Sequence, residues 1–496
     1  MKNLSKGIMA TSVVFGAIST TFAASSVVGK KPNIIVIYVD DLGYGDLQCY
    51  GSKANSTPNL NRMAKEGMRF TDFYSACAVC SPSRAALLTG CYPKRIDMSQ
   101  GDYHSETVLF PVAFKGLNPD EDTIADVLKR AGYKTGCFGK WHVGDQKPFL
   151  PNQQGFDYYF GVPYSNDMVF KGDKPYRPVM PLMRNNEVIE AMTDQTLLTK
   201  RLTEEAVSFI KQNHSEPFFV YFPHTMVHVP VVASKPFRKI TQNSMYGDSL
   251  AEVDWSVGQV LKTLKELNIA DNTLVIFSSD NGGSRHHSNK IPGTNDYRAS
   301  NKPLKGWKCQ PYEGGFRVPG IAWWPKHIKA NSVNDQIAST MDLLPTFAEL
   351  AETRLPQRKI DGKSIINLLT DKDNSAKSPT NTMFYYNVNQ LQAVRHGDWK
   401  LYLPLKERYI RFVGKHKNTV VELYNLRKDI AESKNVAAEN PEIVTQLMKL
   451  ADDMINDIGS GVGKNSRQGK NVRSAGYVKY PQPLLKLNNP QKWFTK

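Results

Sequence analysis

The chain has 496 residues, of which 41% are hydrophobic and 22% are charged, and this composition is ordinary for a globular protein. That length supports a large core and two to four domains, and the sequence contains no internal repeat or low-complexity tract. The net charge of +16 favours an acidic partner, but no nucleic-acid-binding module or basic amphipathic helix points to nucleic acid or to a membrane surface. Two explanations of the positive charge remain: a polyanionic substrate, or a basic protein that has no acidic partner.

The first 24 residues are typical of a signal peptide. Lys2 and Lys6 precede a mostly apolar stretch at 7–18, and small residues at 21–24 offer a cleavage site. The apolar stretch is shorter than the ~20 residues that span a bilayer, and no later stretch is long and apolar enough to do so. We therefore expect an exported protein, periplasmic or secreted, whose loss of two lysines leaves a charge of +14.

Strand and helix patterns alternate through most of the remaining chain. Apolar, β-branched runs predict buried strands, and longer amphipathic runs predict helices between them. The strands are expected at 34–39, 134–138, 217–222, 273–279 and 318–324, and the helices at 123–131, 197–212 and 246–267, with another beginning at 342. This alternation favours a layered α/β fold with a mostly parallel sheet.

A polar stretch at 371–382 predicts a linker to a smaller unit. Beyond it, strand patterns at 382–386, 392–394, 399–403 and 422–426 precede a helix at 441–458. We therefore divide the chain after the signal peptide into a large domain at 30–375 and a C-terminal subdomain at 380–496.

The subdomain ends in a basic tail with no acidic residue after Asp457. Such a tail is either solvated or folds back to line the entrance to a substrate site. Its eight basic residues are Lys464, Arg467, Lys470, Arg473, Lys479, Lys486, Lys492 and Lys496.

Polar side chains follow two of the predicted central strands. Asp40 and Asp41 come directly after the strand at 34–39, and Asp280 and Asn281 follow the strand at 273–279. Ligands of open α/β sheets bind beyond the carboxyl ends of the strands, and these oxygen donors suit a hard divalent cation. Each pair alone is a weak signal, because Asp and Asn are common in turns.

The stretch from Cys80 to Gly90 predicts a short helix. Pro82 is tolerated in a first turn, and Gly90 is a plausible stop. Cys80 would then stand just before the helix, where unpaired N–H groups favour an anion. Two other interpretations are a buried thiol at a helix cap and a redox or disulfide pair with Cys77.

The six cysteines do not have the spacings of a disulfide framework. Conversion of Cys80 would leave an odd number of thiols, so at least one is expected to be free. They are Cys49, Cys77, Cys80, Cys91, Cys137 and Cys309.

The connections after the other strands carry basic residues that could take part in chemistry. Lys140 and His142 lie in a Gly-Lys-Trp-His run, and His224 and His228 follow the strand at 217–222. Lys308 comes five residues before a Glu-Gly-Gly run. A single Lys or His in such a loop is usually only solvated.

The stretch at 80–90 resembles, at every defining position, the C-x-P-S-R-x-x-x-L-T-G signature of the type I sulfatases. The Gly-Lys-Trp-His run, the His-x-Pro at 228–230 and the lysine before Glu-Gly-Gly also resemble motifs of this family, in the same order. In detail the chain is most similar to the branch of N-acetylgalactosamine-6-sulfatase and arylsulfatases. The resemblance implies an alkaline-phosphatase-like α/β/α sandwich, with a mixed, mostly parallel sheet and a smaller C-terminal antiparallel sheet subdomain.

The resemblance also implies a modified nucleophile and a metal ion. In this family a separate maturase oxidises the cysteine to formylglycine, whose hydrated aldehyde attacks the sulfur of a sulfate ester. Calcium would be held by the modified Cys80 together with Asp40, Asp41, Asp280 and Asn281.

By the same resemblance, Arg84 and His142 would hold the formylglycine hydrate. Lys140 and Lys308 would grip the sulfate oxygens, and His228 would protonate the leaving oxygen. The expected substrate is a sulfated carbohydrate or polysaccharide, and the basic charge favours a polymer carrying many sulfates.

His224 takes no definite role from the resemblance, because family members vary at that position. Two alternatives to a sulfatase stay open. One is a phosphatase or phosphodiesterase of the same superfamily, although those enzymes place Ser or Thr at the nucleophile and usually bind two metals. The other is a protein that binds sulfated glycans and is never matured.

Overall fold

The structure is a computed structural model, and it describes residues 31–102, 107–168, 180–285, 299–373, 375–410, 414–461 and 467–485. The predicted signal peptide lies outside these residues, as do Lys464, Lys486, Lys492 and Lys496 of the tail. The part of the chain from Lys31 forms one compact unit, and the boundary near 375–380 stays a prediction. None of the helices in the described ranges is long and apolar enough to cross a membrane.

Helices of four to 23 residues alternate with the strands. In the described residues they are α1 (Pro58–Glu66), α2 (Cys80–Thr89), α3 (Ile124–Arg130), α4 (Leu198–Asn213), α5 (Ser244–Glu266), α6 (Glu313–Phe316), α7 (Leu343–Leu350), α8 (Ile366–Thr370) and α9 (Pro441–Ile458).

The strands form one large sheet and several small ones. In chain order they are β1 (Asn33–Val39), β2 (Met68–Phe70), β3 (Phe73–Tyr74), β4 (Lys115–Gly116), β5 (Lys134–Lys140), β6 (Tyr158–Val162), β7 (Met180–Arg184), β8 (Glu187–Met192), β9 (Phe218–Pro223), β10 (Thr273–Ser279), β11 (Gly320–Trp323), β12 (Ser332–Asn334), β13 (Ala338–Ser339), β14 (Thr382–Asn387), β15 (Gln390–His396), β16 (Trp399–Tyr402), β17 (Leu405–Ile410), β18 (Gly414–Asn418), β19 (Glu422–Asn425), β20 (Gly459–Ser460), β21 (Arg467–Gln468) and β22 (Gly476–Tyr477).

The large sheet confirms the predicted mixed, mostly parallel architecture. Its order is β12-β2-β11-β10-β1-β9-β5-β6-β7-β8, and the five strands from β10 to β6 run parallel. Helices cover both faces: α1, α4 and α5 pack together, and α2, α3 and α7 form a second group. Every residue of β1, β9 and β10 is buried, as expected for central parallel strands.

Glycine is required where β5 passes the end of β9. Gly139 has φ 137°, and a Cβ built there would lie 1.8 Å from the carbonyl oxygen of Pro223. No other residue type fits that approach, so the glycine of the Gly-Lys-Trp-His run is required there.

The C-terminal subdomain has the predicted antiparallel sheet, in the order β14-β15-β16-β19, and α9 packs on it. The described part of the basic tail folds back on the large domain, because β22 pairs with β4 and Gln482 bonds Gln146. Arg473 takes part in this return, since it pairs with Glu121 at 2.7 Å and its side chain is only 20% exposed.

Candidate active site

The carboxyl ends of β1 and β10 meet because the two strands are parallel and in register. Val39 pairs with Ser279, so the next residues, Asp40 and Asp280, lie side by side. The N–H of Asp41 donates to Oδ1 of Asp280 at 3.1 Å, and Nδ2 of Asn281 donates to Oδ1 of Asp41 at 2.8 Å. These four residues are at most 1% exposed.

The backbone turns sharply at this edge. Asp41 has φ 59° and His142, beyond the end of β5, also has φ 59°. The left-handed region is uncommon for residues other than glycine, and such conformations concentrate at functional sites. The backbone conformation of Asp41 and His142 thus sets the direction in which each side chain leaves the chain.

Cys80 is the first residue of α2, one position further into the helix than the sequence predicted. The extended residue before it, Val79, is the N-cap, and Pro82 is the third helical residue. Pro82 is still tolerated, because the first N–H groups of a helix have no intrahelical partner. The predicted stop is confirmed, since Gly90 ends α2 with φ 67°.

Cys80 lies within a group of side chains that could hold a metal ion. Ligand atoms of Asp40, Asp41, Cys80 and His228 all lie within 4.8 Å of one another. The Cys80 thiol donates to Oδ1 of Asp40 at 3.6 Å. Of the residues predicted to bind metal, Asp280 and Asn281 reach this group through their bonds to Asp41.

One observation tests whether these residues fit a hard cation. Oδ1 of Asn281 is buried and has no hydrogen-bond partner in the described chain. An unpaired buried acceptor costs about 1–3 kcal/mol, and an oxygen-preferring cation would satisfy it. Three buried carboxylates and this amide oxygen therefore fit a calcium-type site.

Three cations face the three carboxylates. Arg84 donates to Oδ2 of Asp280 through Nη2 at 2.7 Å and through Nε at 3.2 Å. Nζ of Lys140 lies 2.5 Å from Oδ2 of Asp40.

Lys308 is the third cation, and it contacts both a predicted metal ligand and the predicted nucleophile. Its Nζ lies 2.6 Å from Oδ1 of Asp41 and 3.2 Å from Sγ of Cys80. All the predicted Arg and Lys site residues are therefore in one cluster.

Two carboxylates of the cluster differ in acidity. Burial alone would raise the pKa of Asp40, but the charges of Lys140, His228 and Arg84 hold it well below its usual range. Burial and the neighbouring Asp40 raise the pKa of Asp280 to about 6, although Arg84 opposes this. Asp40 thus holds its charge more firmly than Asp280 does.

The Cys80 thiol is a poor nucleophile as it stands. Burial and the Asp40 charge raise its pKa well above the ordinary value, and burial raises the pKa of Cys77 to about 12. Reactive and redox-active cysteines need a lowered pKa. The Cys77–Cys80 redox interpretation is therefore disfavoured, and both cysteines are free thiols in the structure.

The histidines separate into different environments. His142 bonds the Leu109 carbonyl through Nε2 at 2.9 Å, and burial, followed by the Lys140 charge, holds its pKa well below the ordinary value. His228 bonds the Val229 carbonyl through Nδ1 at 2.7 Å, and its Nε2 lies 3.8 Å from Oδ2 of Asp41.

His224 is 0% exposed and contacts uncharged residues. Its Nε2 contacts the hydroxyl of Ser256 on α5 at 3.4 Å, and its ring lies on Phe222 with 4.1 Å between centroids. These contacts place His224 in the interior packing behind the site.

Sequence reasoning missed two residues that support the cluster. Ser165 accepts a hydrogen bond from Nζ of Lys140 at 3.0 Å. The carbonyl of Leu109 bonds His142, and the N–H of Leu109 donates to Oγ of Ser81. Ser165 follows the parallel strand β6, so recognising that strand would have placed it at the active edge. Leu109 acts through its carbonyl, which no residue pattern marks.

The chain matches known proteins along most of its length. The family model described as Sulfatase matches residues 32–353, and the model described as N-sulphoglucosamine sulphohydrolase, C-terminal, matches residues 306–457. N-acetylgalactosamine-6-sulfatase of Homo sapiens is 39% identical over 383 residues, which cover 75% of this chain and 71% of that protein. Arylsulfatase A of Homo sapiens is 35% identical over 472 residues, which cover 86% of this chain and 88% of that protein.

A solved structure described as Ps i-CgsB in complex with k-i-k-neocarrahexaose is 30% identical, with a TM-score of 0.72. The match covers 86% of this chain and 93% of that chain. The family model spans more than half of the chain, and both curated relatives exceed 30% identity over more than two thirds of it. The chain therefore belongs to the sulfatase family and is a sulfuric ester hydrolase.

Proposed function

We propose that this protein hydrolyses sulfate esters of a sulfated carbohydrate, through a formylglycine made from Cys80 by a maturase and with one calcium ion. The observation that carries the proposal is the position of one sulfur atom. Sγ of Cys80, at the start of α2, lies between the carboxylate of Asp40 and the ammonium group of Lys308.

Calcium would be held by Asp40, Asp41, Asp280, Asn281 and the modified residue 80. When bound, the ion supplies a fixed positive charge that polarises the ester and favours an ionised oxygen nucleophile. The three carboxylates and the three cations of the site balance in charge, so a divalent ion leaves two positive charges. That excess favours an anionic ester group.

The modification would replace a thiol whose pKa burial raises well above its ordinary value. A formylglycine at position 80 supplies, as its hydrate, one hydroxyl that attacks sulfur and a second whose deprotonation releases sulfate. A serine would lack the second hydroxyl. Arg84 and His142 hold these hydroxyl groups in the proposal.

His142 is suited to accept a proton. Its Nε2–H donates to the Leu109 carbonyl, which leaves Nδ1 as an acceptor, and Nδ1 is buried without a partner among the described residues. The lowered pKa keeps the imidazole neutral at physiological pH.

The sulfate oxygens would be gripped by Lys140 and Lys308. Sulfuryl transfer passes through a loose, anionic centre, so catalysis rests mainly on positioning and on charge. His228 donates a proton to the leaving oxygen from Nε2, since its Nδ1–H is directed to the Val229 carbonyl.

The substrate class is supported by the relatives. One is named for N-acetylgalactosamine 6-sulfate chemistry, and the solved structure holds a neocarrahexaose. The formal charge of +16 agrees with an anionic polymer.

Mass spectrometry of the peptide that spans Cys80 tests the nucleophile. In active enzyme from a host with the maturase, we expect an aldehyde with oxygen in place of sulfur. Cys80→Ser should abolish turnover, whereas Cys77→Ser, the matched control at a neighbouring buried thiol, should retain it. Turnover by protein that carries only the thiol at position 80 would contradict the mechanism.

A further inference from the structure

A buried ionic cluster joins the C-terminal sheet to the loop that carries Lys308. Lys400 of β16, Glu313 of α6 and Glu432 are each 0% exposed. Nζ of Lys400 lies 2.9 Å from Oε1 of Glu313 and 3.1 Å from Oε1 of Glu432, and it donates to the Pro311 carbonyl at 3.0 Å. One ammonium group thus bridges two carboxylates from distant parts of the chain.

Other side chains complete the surroundings of Glu313. Tyr74 and Tyr385 donate their hydroxyl groups to it at 2.6 and 2.7 Å. Burial alone would raise the pKa of Glu313, but the charges of Lys400 and Arg395 bring it well below its usual range. Glu313 is therefore an ionised carboxylate in the protein interior.

Glu432 holds both ends of the loop at 305–314. Its Oε2 accepts the backbone N–H of Glu313 at 3.0 Å, and its carbonyl accepts Nζ of Lys305 at 3.0 Å. The N–H of Gly314 donates to the Lys305 carbonyl at 2.7 Å and closes the loop.

The middle of this loop contacts the reaction centre. The N–H of Lys308 donates to the Gly283 carbonyl at 3.1 Å, beside the metal-site residues that follow β10. The N–H of Cys309 donates to the Ala78 carbonyl at 2.9 Å, two residues before Cys80. The loop is thus anchored on the C-terminal subdomain at its ends and on the site at its centre.

We propose that Lys400 is a positioning residue of the sulfatase reaction, which holds the loop at 305–314 through Glu313 and Glu432 so that Nζ of Lys308 stays beside residue 80. This inference rests on the sulfate-binding role that the proposed function gives to Lys308. It assigns the C-terminal sheet a part in catalysis, although the sheet contributes no residue to the cluster around Cys80.

The energetics of buried ion pairs favour this role over a purely stabilising one. Removing two charges from water costs several kcal/mol per ion, and well-packed apolar side chains often give equal or greater stability in their place. A bridging ammonium group instead fixes the relative positions of the carboxylates that bond it. Outer-shell partners that orient metal ligands typically affect metal affinity or activity by about 10–100-fold when they are lost, and we expect an effect of similar size here.

The test is a double-mutant cycle between Lys400 and Lys308 in the full-length, matured enzyme. Lys400→Met alone strands the buried carboxylate of Glu432, so the principal variant is Lys400→Met with Glu432→Gln. Glu313 stays paired in this variant, with Arg317 at 3.6 Å and Arg395 at 3.9 Å. We expect kcat/KM for a small aryl sulfate to fall by about 10–100-fold, and the inhibition constant of inorganic sulfate to rise by a similar factor. In a Lys308→Met background the same changes should alter both values by less than about threefold.

Lys449→Met is the matched control, because Lys449 lies in the same subdomain, is 75% exposed and pairs only with Asp453 among the described residues. It should leave both constants unchanged. Equal losses in the two backgrounds, or a lowered melting temperature with unchanged kinetics, would overturn the inference. Failure of the proposed function would show itself separately, as full activity of Lys308→Met alone.

Discussion

Arg84→Met should destabilise the protein far more than loss of an ordinary ion pair. Arg84 is 0% exposed and bonds Asp280 twice, and its Nη2 also lies 3.4 Å from Asp40. A third donor, Nη1, bonds the Lys140 carbonyl at 2.9 Å. Methionine fills a similar length but leaves the carboxylate of Asp280 buried without the cation that donates twice to its Oδ2.

The expected loss in the free energy of unfolding is about 3–5 kcal/mol, the usual result of removing one partner of a buried ion pair. A chain of this size has an unfolding entropy of roughly 1 kcal/mol per kelvin, so the melting temperature should fall by about 3–5 °C. Activity should be lost as well, because Arg84 is proposed to hold the nucleophile.

The assay is chemical and thermal unfolding in a chelating buffer, so that a bound cation does not compensate the freed carboxylate. Arg427→Met is the matched control: Arg427 pairs with Asp398 at 3.0 Å and Asp335 at 3.3 Å but is 59% exposed. It should cost less than about 1 kcal/mol. If the two variants lose equal stability, the reasoning about the buried site is refuted.

Three further predictions concern pH, metal and substrate. Burial lowers the pKa of His224 to about 3, while an unfolded histidine titrates near 6.5, so the contribution of His224 to stability should fall by about 1.4 kcal/mol per pH unit as pH drops from 6.5 towards 3. In His224→Gln the free energy of unfolding, measured between pH 6.5 and 3, should depend on pH less steeply by that amount. An unchanged slope would contradict the lowered pKa of His224. Chelation should lower both activity and melting temperature, and calcium should restore them, because a ligand of the folded state stabilises it; full activity with no metal by elemental analysis would refute this. Hydrolysis of a sulfated oligosaccharide should fall with added salt more steeply than hydrolysis of an aryl sulfate. Lys470→Gln with Lys479→Gln should raise the KM for the oligosaccharide only. Equal responses of the two substrates would mean that these exposed cations are merely solvated.

The active edge of the sheet could be predicted because its geometry follows from simple patterns. Continuous β-branched runs predicted β1 and β10, and parallel strands in register must bring Asp40 and Asp280 together. The Cys80 helix was predicted with its start displaced by one residue, because a helix and its cap are not distinguished by residue type at Val79.

Contacts between residues far apart in the chain could not be predicted from the sequence. Nothing in the short pattern at 399–403 indicates that Lys400 points inward to Glu313 rather than to solvent. Likewise, Arg473 looked like one of several free basic residues, and its pairing with Glu121 depends on the return of the tail along β4. Strands β6 to β8 were missed as well, although β6 is part of the parallel region of the sheet.

The burial of Cys80 bears on the biogenesis of the enzyme. Cys80 is 2% exposed, and every residue of α2 is buried, so little of this sulfur is accessible to another enzyme within the part of the chain that the structure describes. The maturase of the proposed function would therefore act while the segment is still extended, before α2 packs against α3 and α7. At that moment it would meet a linear run of residues, in which Cys80, Pro82 and Arg84 stand close together. The same few residues would thus serve twice: first as the linear segment that the maturase recognises, and later as part of the folded site.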